Sequence, residues 1–234
     1  MNNLSMELKE KLSRKRASIV GFADISGLPV EARDGYPHGI IIGVALNPLK
    51  VMQIKDGPNL DYYNEYKEVN KFLNNLADYT ADILKEKGYH ALAKTQRVVI
   101  MDDQKRTKLP HKTIATKAGI GWIGKDALLI TEEYGAAIRI TSILTDVDLD
   151  YGTPITTSRC GECNECQKIC PANDVTGKNW VAGIDRDEIF RALDCHDKIA
   201  ERGRELGLTE AMCGLCIWAC PWTQKYLKRN MLIQ

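Results

Sequence analysis

The eight cysteines of this 234-residue chain all fall in its last third, at Cys160, Cys163, Cys166, Cys170, Cys195, Cys213, Cys216 and Cys220. That placement constrains the fold more than any hydrophobic pattern, because thiols that share a metal or a disulfide pull distant segments together. The first four form CGECNECQKICP, a C-x2-C-x2-C-x3-C-P run, and the last three form CGLCIWACP, which supplies C-x2-C-x3-C-P and lacks one member. Cys195, between the runs, is the natural substitute. The N-terminal MNNLSMELKEKLSRKRASIV is heavily charged and has no apolar core, so it does not read as a secretory signal. The longest apolar stretch, GIIIGVAL, is too short to span a bilayer. The expectation is a soluble, cytoplasmic protein with no membrane association. In that reducing compartment the cysteines are expected to be metal ligands rather than disulfides.

The first run is the bacterial ferredoxin signature. Its tight loop lets three thiolates cap three irons of one cubane, while the fourth cysteine, turned away by Pro171, ligates the other cluster. The expected assignment is one [4Fe-4S] cluster on Cys160, Cys163, Cys166 and Cys220, and a second on Cys170, Cys195, Cys213 and Cys216, with no cysteine left over. A pair of four-cysteine zinc sites and a disulfide framework are the alternatives. Zinc ribbons use paired C-x-x-C knuckles and have no need of the triple run. Two clusters form an electron wire, and a wire needs a terminus. Either a partner protein takes the electrons or a redox centre in residues 1–155 does. A mixed α/β segment of that size is more than a ferredoxin requires, which favours the second.

Leu4, Leu8 and Leu12 fall at helical spacing, and ASIVGFADI and HGIIIGVAL read as buried strands. From Asp61 to Gly88 apolar residues such as Val69, Leu73, Leu76 and Leu84 recur every three or four positions, which predicts a long core-facing helix stopped by Gly88. YHALA and RVVIM are strand candidates, and LPHKTIATKAG has the Pro-first, Gly-last asymmetry of a short helix. ALLIT, a turn at EEYG, and AAIRITSILTDV read as a hairpin. Near DYGTPITTSRC the strand-rich pattern gives way to cysteines and short helices. The expected fold is α/β (α+β), with an α/β domain over residues 1–155 and a small ferredoxin-like double-cluster domain over 156–234. Hydrophobic content of 44% and charged content of 27% suit a globular chain. Lys+Arg 32 against Asp+Glu 31 leaves a net charge of +1, which makes no bulk electrostatic case for nucleic acid or membrane.

KAGIGWIGKDALL, residues 117–129, carries two phosphate-binding patterns at once. G-x-G-x-x-G spans Gly119, Gly121 and Gly124, and G-x-x-x-x-G-K ends at Lys125. Both need a strand before the loop and a helix beginning at it, since phosphate is held by free N–H groups at the helix N-terminus. Here the order is reversed, with a helix ending at Gly119 and a strand following the loop. Asp126 also stands where the second pattern needs a hydroxyl for Mg2+, and it would repel a phosphate. Neither nucleotide reading is expected to hold.

The stretch LPHKTIATKAGIGWIGKDALLITEEYGAAIRITSILTDVDL, followed by the two cysteine runs, resembles the core shared by epoxyqueuosine reductases and the wider reductive dehalogenase group. The similarity extends more faintly through ASIVGFADI, GIIIGVAL and DYYNEYKEVNKFLNNLADYTADILKEKGYHA. Its most specific parts are A-G-x-G-W-x-G-K from Ala118 to Lys125 and the position of Cys195 between the runs. The resemblance implies a nitroreductase-like, corrinoid-binding core that holds cobalamin beside two [4Fe-4S] clusters. It implies a cobalamin-dependent iron-sulfur reductase fed by a low-potential donor such as ferredoxin or flavodoxin. On that likeness Gly119, Gly121 and Gly124 would let backbone approach a flat corrin. Trp122 would wall it, Lys125 would meet a propionamide or the tail phosphate, and Tyr134 and Gly135 would complete the cofactor-binding set.

That family continues past its cysteine runs into a helical-repeat domain that helps hold tRNA, which is not found in this sequence. Its usual proton donor, an Asp ahead of P-x-L-E-R, is also missing from MDDQKRTKLPHKTIATKAG. The expected catalytic residues are therefore His111, as a proton donor whose ordinary pKa of about 6.5 suits neutral pH, with Lys112 and Asp103 as the other candidates. A small-molecule substrate or a corrinoid protein is the expected partner, and tRNA is disfavoured. The alternative functions are a corrinoid-reducing or delivery protein, and an electron-transfer protein without a substrate of its own.

Overall fold

In the computed structural model, which describes residues 3–208 and 212–231, the helical spacing of Leu8 and Leu12 becomes α1 (Asn3–Arg14), with both leucines wholly buried. β1 (Ile19–Asp24) and β2 (His38–Ala45) pair antiparallel, Ile19 opposite Gly43 and Asp24 opposite His38. Ile40, Ile41 and Ile42 are all inaccessible, so β2 is covered on both faces, as a strand without polar alternation requires. α2 (Pro48–Met52) opens on Pro48 behind Asn47, whose side chain accepts the Leu49 N–H. The periodic stretch becomes α3 (Leu60–Glu86), which buries Leu73, Leu76, Ala77 and Leu84 and stops before Gly88. β3 (Ala91–Lys94), α4 (His111–Lys117), β4 (Trp122–Ile123), β5 (Leu129–Ile130) and β6 (Ile138–Thr145) follow. In the last third follow α5 (Glu165–Ile169), α6 (Ala192–Glu205), α7 (Leu215–Ala219) and α8 (Pro221–Met231).

Two compact units share these elements. One takes the residues up to Val44, Val69–Ile120 and Arg139–Ile155, and so carries α1, α4 and a four-stranded sheet of order β1-β2-β6-β3. Ile114 of α4 packs against Gly39 of β2, which seats the helix and its first residue, His111, on that sheet. The other unit takes Ala45–Glu68, Gly121–Ile138 and the residues from Thr156 on. In it Ile123 and Ala127 pack with Ile189 against Trp180, Ile184 and Phe190. The boundary expected near residue 155 is one of several points at which the chain passes from one unit to the other.

Two strand expectations fail for the same reason. RVVIM is not a strand: Val98, Ile100 and Met101 are 42%, 84% and 62% exposed, and the Val99 N–H turns back to Thr95 O. β-branched composition makes a strand only where an edge is there to pair. Nor do ALLIT and AAIRITSILTDV form one hairpin. Thr131 and Gly135 close the EEYG turn as expected, but β5 pairs back onto β4, Trp122 opposite Ile130, while β6 joins β3 in the other sheet. The local turn chemistry holds, and non-local pairing chooses the partners. Among the described residues no helix is long and apolar enough to cross a membrane.

Candidate metal centre

α5 and α7 are one-turn helices that each carry one cysteine, Cys166 and Cys216, and each end on Cys-Pro. A residue ahead of proline is pushed out of the helical region. Cys170 accordingly stands at φ −68°, ψ 118° and Cys220 at φ −61°, ψ 124°, both extended. The two helices pack against each other, so each run can turn its last thiol away from its own loop. Cys160, Cys163 and Cys166 of the first run and Cys220 of the second line one cavity of about 90 Å³. Lys125, Asp126, Ile130 and Trp222 complete its walls.

The other four thiols are linked to one another by their electrostatics. Burial pushes the Cys195 thiol up, and the nearest charges acting on it are Asp174, Cys170 and Cys213. Cys216 is raised well above its ordinary value, by burial first and then by Asp126, Cys213, Cys195 and Cys166. In the first set Cys166 and Cys220 are pushed up to about 12, again by burial and then Asp126. Thiols held protonated in this way release protons when a metal takes them as thiolates. All eight cysteines are free of disulfides. Among the described residues no three His, Cys, Asp or Glu side chains converge closely enough to hold a single ion. Thiols spread around a cavity fit a cubane, whose irons each take one thiolate, better than a zinc ion at Zn–S distances of about 2.3 Å.

Asp174 and Asn164 went unmarked in the sequence. Asp174 is 1% exposed, and its Oδ1 accepts the Cys170 thiol at 2.8 Å. Asn164 Oδ1 accepts Lys125 Nζ at 2.9 Å. Neither lies on a periodic pattern, and only the spacing to the adjacent cysteines could have flagged them.

The residues expected to bed a corrin are otherwise engaged. A Cβ on Gly121 would stand 2.1 Å from Ile130 O, and one on Gly135 would stand 2.1 Å from Thr223 N. At Gly119 and Gly124 the same position is filled by Thr153 O and Asp126 Oδ1, each 2.5 Å away. Trp122 is wholly buried and meets Trp222 edge to face at 5.0 Å. Lys125 is 3% exposed and bonded to Asn164 at the cysteine cavity, while Tyr134 meets Tyr226 edge to face at 5.4 Å. These surroundings do not fit a corrin bed. Gly121, Gly124 and Gly135 are buried by the protein itself, and residues 124–126 wall the cysteine cavity instead.

His111 lies in surroundings that its own stretch of sequence does not foretell. Its Nδ1 lies 2.8 Å from Ser142 Oγ, and burial, followed by the nearby Arg139 and Lys94 cations, lowers its pKa to about 4. It is neutral at pH 7 and unsuited to donate a proton as imidazolium. Lys112 follows it on α4, half-buried, and Asp103 lies on an exposed turn. Because the folded value lies below the ordinary 6.5, the unfolded chain binds the extra proton between those pH values. The stability involved is present above pH 6.5 and lost as pH falls toward 4, about 2 kcal/mol of it by pH 5. In urea unfolding at pH 7.5 and pH 5, wild type should lose that much more than His111→Gln; equal losses would mean the imidazole titrates normally.

Residues 159–223, which contain every cysteine, match the 4Fe-4S double cluster binding domain. The class is thus that of proteins that carry a double iron-sulfur cluster domain together with further helices and strands. Within that class the chain resembles epoxyqueuosine reductases and reductive dehalogenases. It is 39% identical over 118 residues to the epoxyqueuosine reductase of Listeria monocytogenes, a match that covers 50% of this chain and 30% of that enzyme. It shares its fold with epoxyqueuosine reductase solved with a tRNA-Tyr epoxyqueuosine-modified tRNA stem loop (TM-score 0.59, 19% identity, 94% of this chain and 65% of that one). It also shares it with a reductive dehalogenase whose structure suggests a mechanism for B12-dependent dehalogenation (TM-score 0.64, 16% identity, 93% and 32%).

Proposed function

We propose that the chain is an iron-sulfur reductase of the epoxyqueuosine reductase type, with one [4Fe-4S] cluster on Cys160, Cys163, Cys166 and Cys220 and a second on Cys170, Cys195, Cys213 and Cys216. The observation that carries this reading is the single cavity lined by three thiols of the first run and one of the second. Clusters bound in this way supply one-electron transfer at potentials set by charge, hydrogen bonds and burial. The chain's own residues do the rest. The Cys-Pro turns exchange the fourth thiols, Ile130 and Trp222 keep water from the first set, and buried Lys125 brings a positive charge to the same wall. Asp174 brings a carboxylate to the second set.

A corrinoid acceptor is suggested by the B12-dependent dehalogenation named for one structural neighbour. Residues 119–125, 134 and 135 do not fit it, and no step is assigned to them. The substrate reading moves toward tRNA. The net charge of +1 that disfavours it is a whole-chain sum and says nothing of a local face, whereas one neighbour is solved with a modified tRNA stem loop. The test is metal analysis of protein made without oxygen and supplied with cobalamin. About 8 irons per chain are expected; cobalt near stoichiometry, with turnover of an epoxyqueuosine-bearing stem loop, would show that a corrinoid is held by residues other than 119–125, 134 and 135. The same iron without cobalt would leave an electron-transfer protein, and zinc in place of iron would end the cluster reading.

A further inference from the structure

Apart from the cysteine cavity, α5, α7 and α8 enclose an open groove of about 640 Å³. Ile169, Trp218 and Pro221 give it an apolar floor, and Lys168, Lys225 and Lys228, all exposed, stand around it. The one carboxylate among the lining residues, Glu165, is bonded to Lys168 at 2.7 Å. Three lysines against one glutamate leave a positive surplus. Pro221 lines both this groove and the cysteine cavity. Lys225 Nζ stands 4.2 Å over the ring of Trp222, which lines that cavity too. The groove therefore backs directly onto the first thiol set.

We propose that this groove docks a small, acidic electron-carrier protein, which reduces the cluster on Cys160, Cys163, Cys166 and Cys220. The proposal rests on the cluster reading above. A basic rim steers an acidic partner into encounter, and an apolar floor lets the two surfaces close without trapped charge. One electron leaves the carrier, which is oxidised by one unit, and enters the metal group behind Pro221, which is reduced by one. No bond is made or broken. The rim's charge would suit RNA as well; the shared wall at Pro221 is what favours an electron carrier.

The test uses the full iron-loaded chain carrying Lys168→Glu, Lys225→Glu and Lys228→Glu together, with iron per chain measured first. In stopped flow at low ionic strength, reduction by reduced flavodoxin should slow about tenfold or more. The gap should shrink in about 0.5 M salt. Reduction by the methyl viologen radical, a small cation, should be unchanged or faster. A milder Lys225→Gln, Lys228→Gln variant should fall between, which guards against misfolding of the triple variant. An unchanged flavodoxin rate in loaded variants overturns the proposal. So does an unchanged rate with lost binding of a tRNA stem loop, which would assign the groove to RNA. If wild type takes up no iron, the cluster reading itself fails and the groove proposal falls with it, an outcome distinct from either of these.

Discussion

Serine in place of Cys170 is expected to remove the same iron as serine in place of Cys213, and not the iron removed by serine at Cys163. Cys170 and Cys163 belong to one run, CGECNECQKICP, and a reading by adjacency would group them. The Cys-Pro turn at the end of α5 instead carries Cys170 to extended geometry, beside Asp174 and within the field of Cys195. Cys163 faces the cavity that Cys220 completes from the other run. Each single substitution should lower iron from about 8 to about 4 per chain. The electron paramagnetic resonance spectra of the reduced variants should fall into two kinds, Cys170 with Cys213 and Cys195, and Cys163 with Cys160 and Cys220. Spectra sorted by sequence run would refute the exchange of ligands.

Alanine at Gly121 should destabilise the protein by ~3 kcal/mol, the upper end of what overpacking costs. The added methyl would sit 2.1 Å from Ile130 O, a backbone atom, so no side chain can swing aside. The collision falls at the β4–β5 pairing of Trp122 with Ile130, so the strands must separate to admit it. Gly27, with nothing within 4 Å, is the control: alanine there should change little. The measurement is the urea midpoint of both variants with iron bound. A glycine that merely floors a cofactor would leave that midpoint alone and lower cobalt content instead. Equal midpoints for the two alanine variants would therefore revive the corrin bed for residues 119–124.

His111 and Lys125 show how a residue's type can be legible while its role is not. Histidine near a helix start suggested a proton donor on its ordinary pKa, and nothing in LPHKTIATKAG foretells Arg139 or Lys94 beside it. Those cations arrive from β6 and β3, strands distant in sequence. Lys125, at the end of a phosphate-like pattern, is buried against Asn164, which lies 39 positions on.

The amino-acid sequence by itself determined the elements that depend on local chemistry. α1, α3 and α4 follow from helical periodicity and their stops, β1 and β2 from uninterrupted apolar runs, and the short α5 and α7 end where Cys-Pro forbids a further helical turn. Cysteine spacing also pointed to a double-cluster domain, which the match over residues 159–223 bears out, because the spacing is set by neighbouring residues along one loop. Tertiary structure alone decided that β5 turns back to β4, that RVVIM stays outside any sheet, and that the glycine loop walls a cysteine cavity. Those outcomes depend on which distant surface arrives at a given atom: Ile130 O against Gly121, Thr223 N against Gly135, two cations against His111. Turn and helix signals are written within a few residues, whereas burial and the electric field at a side chain are sums over the whole fold.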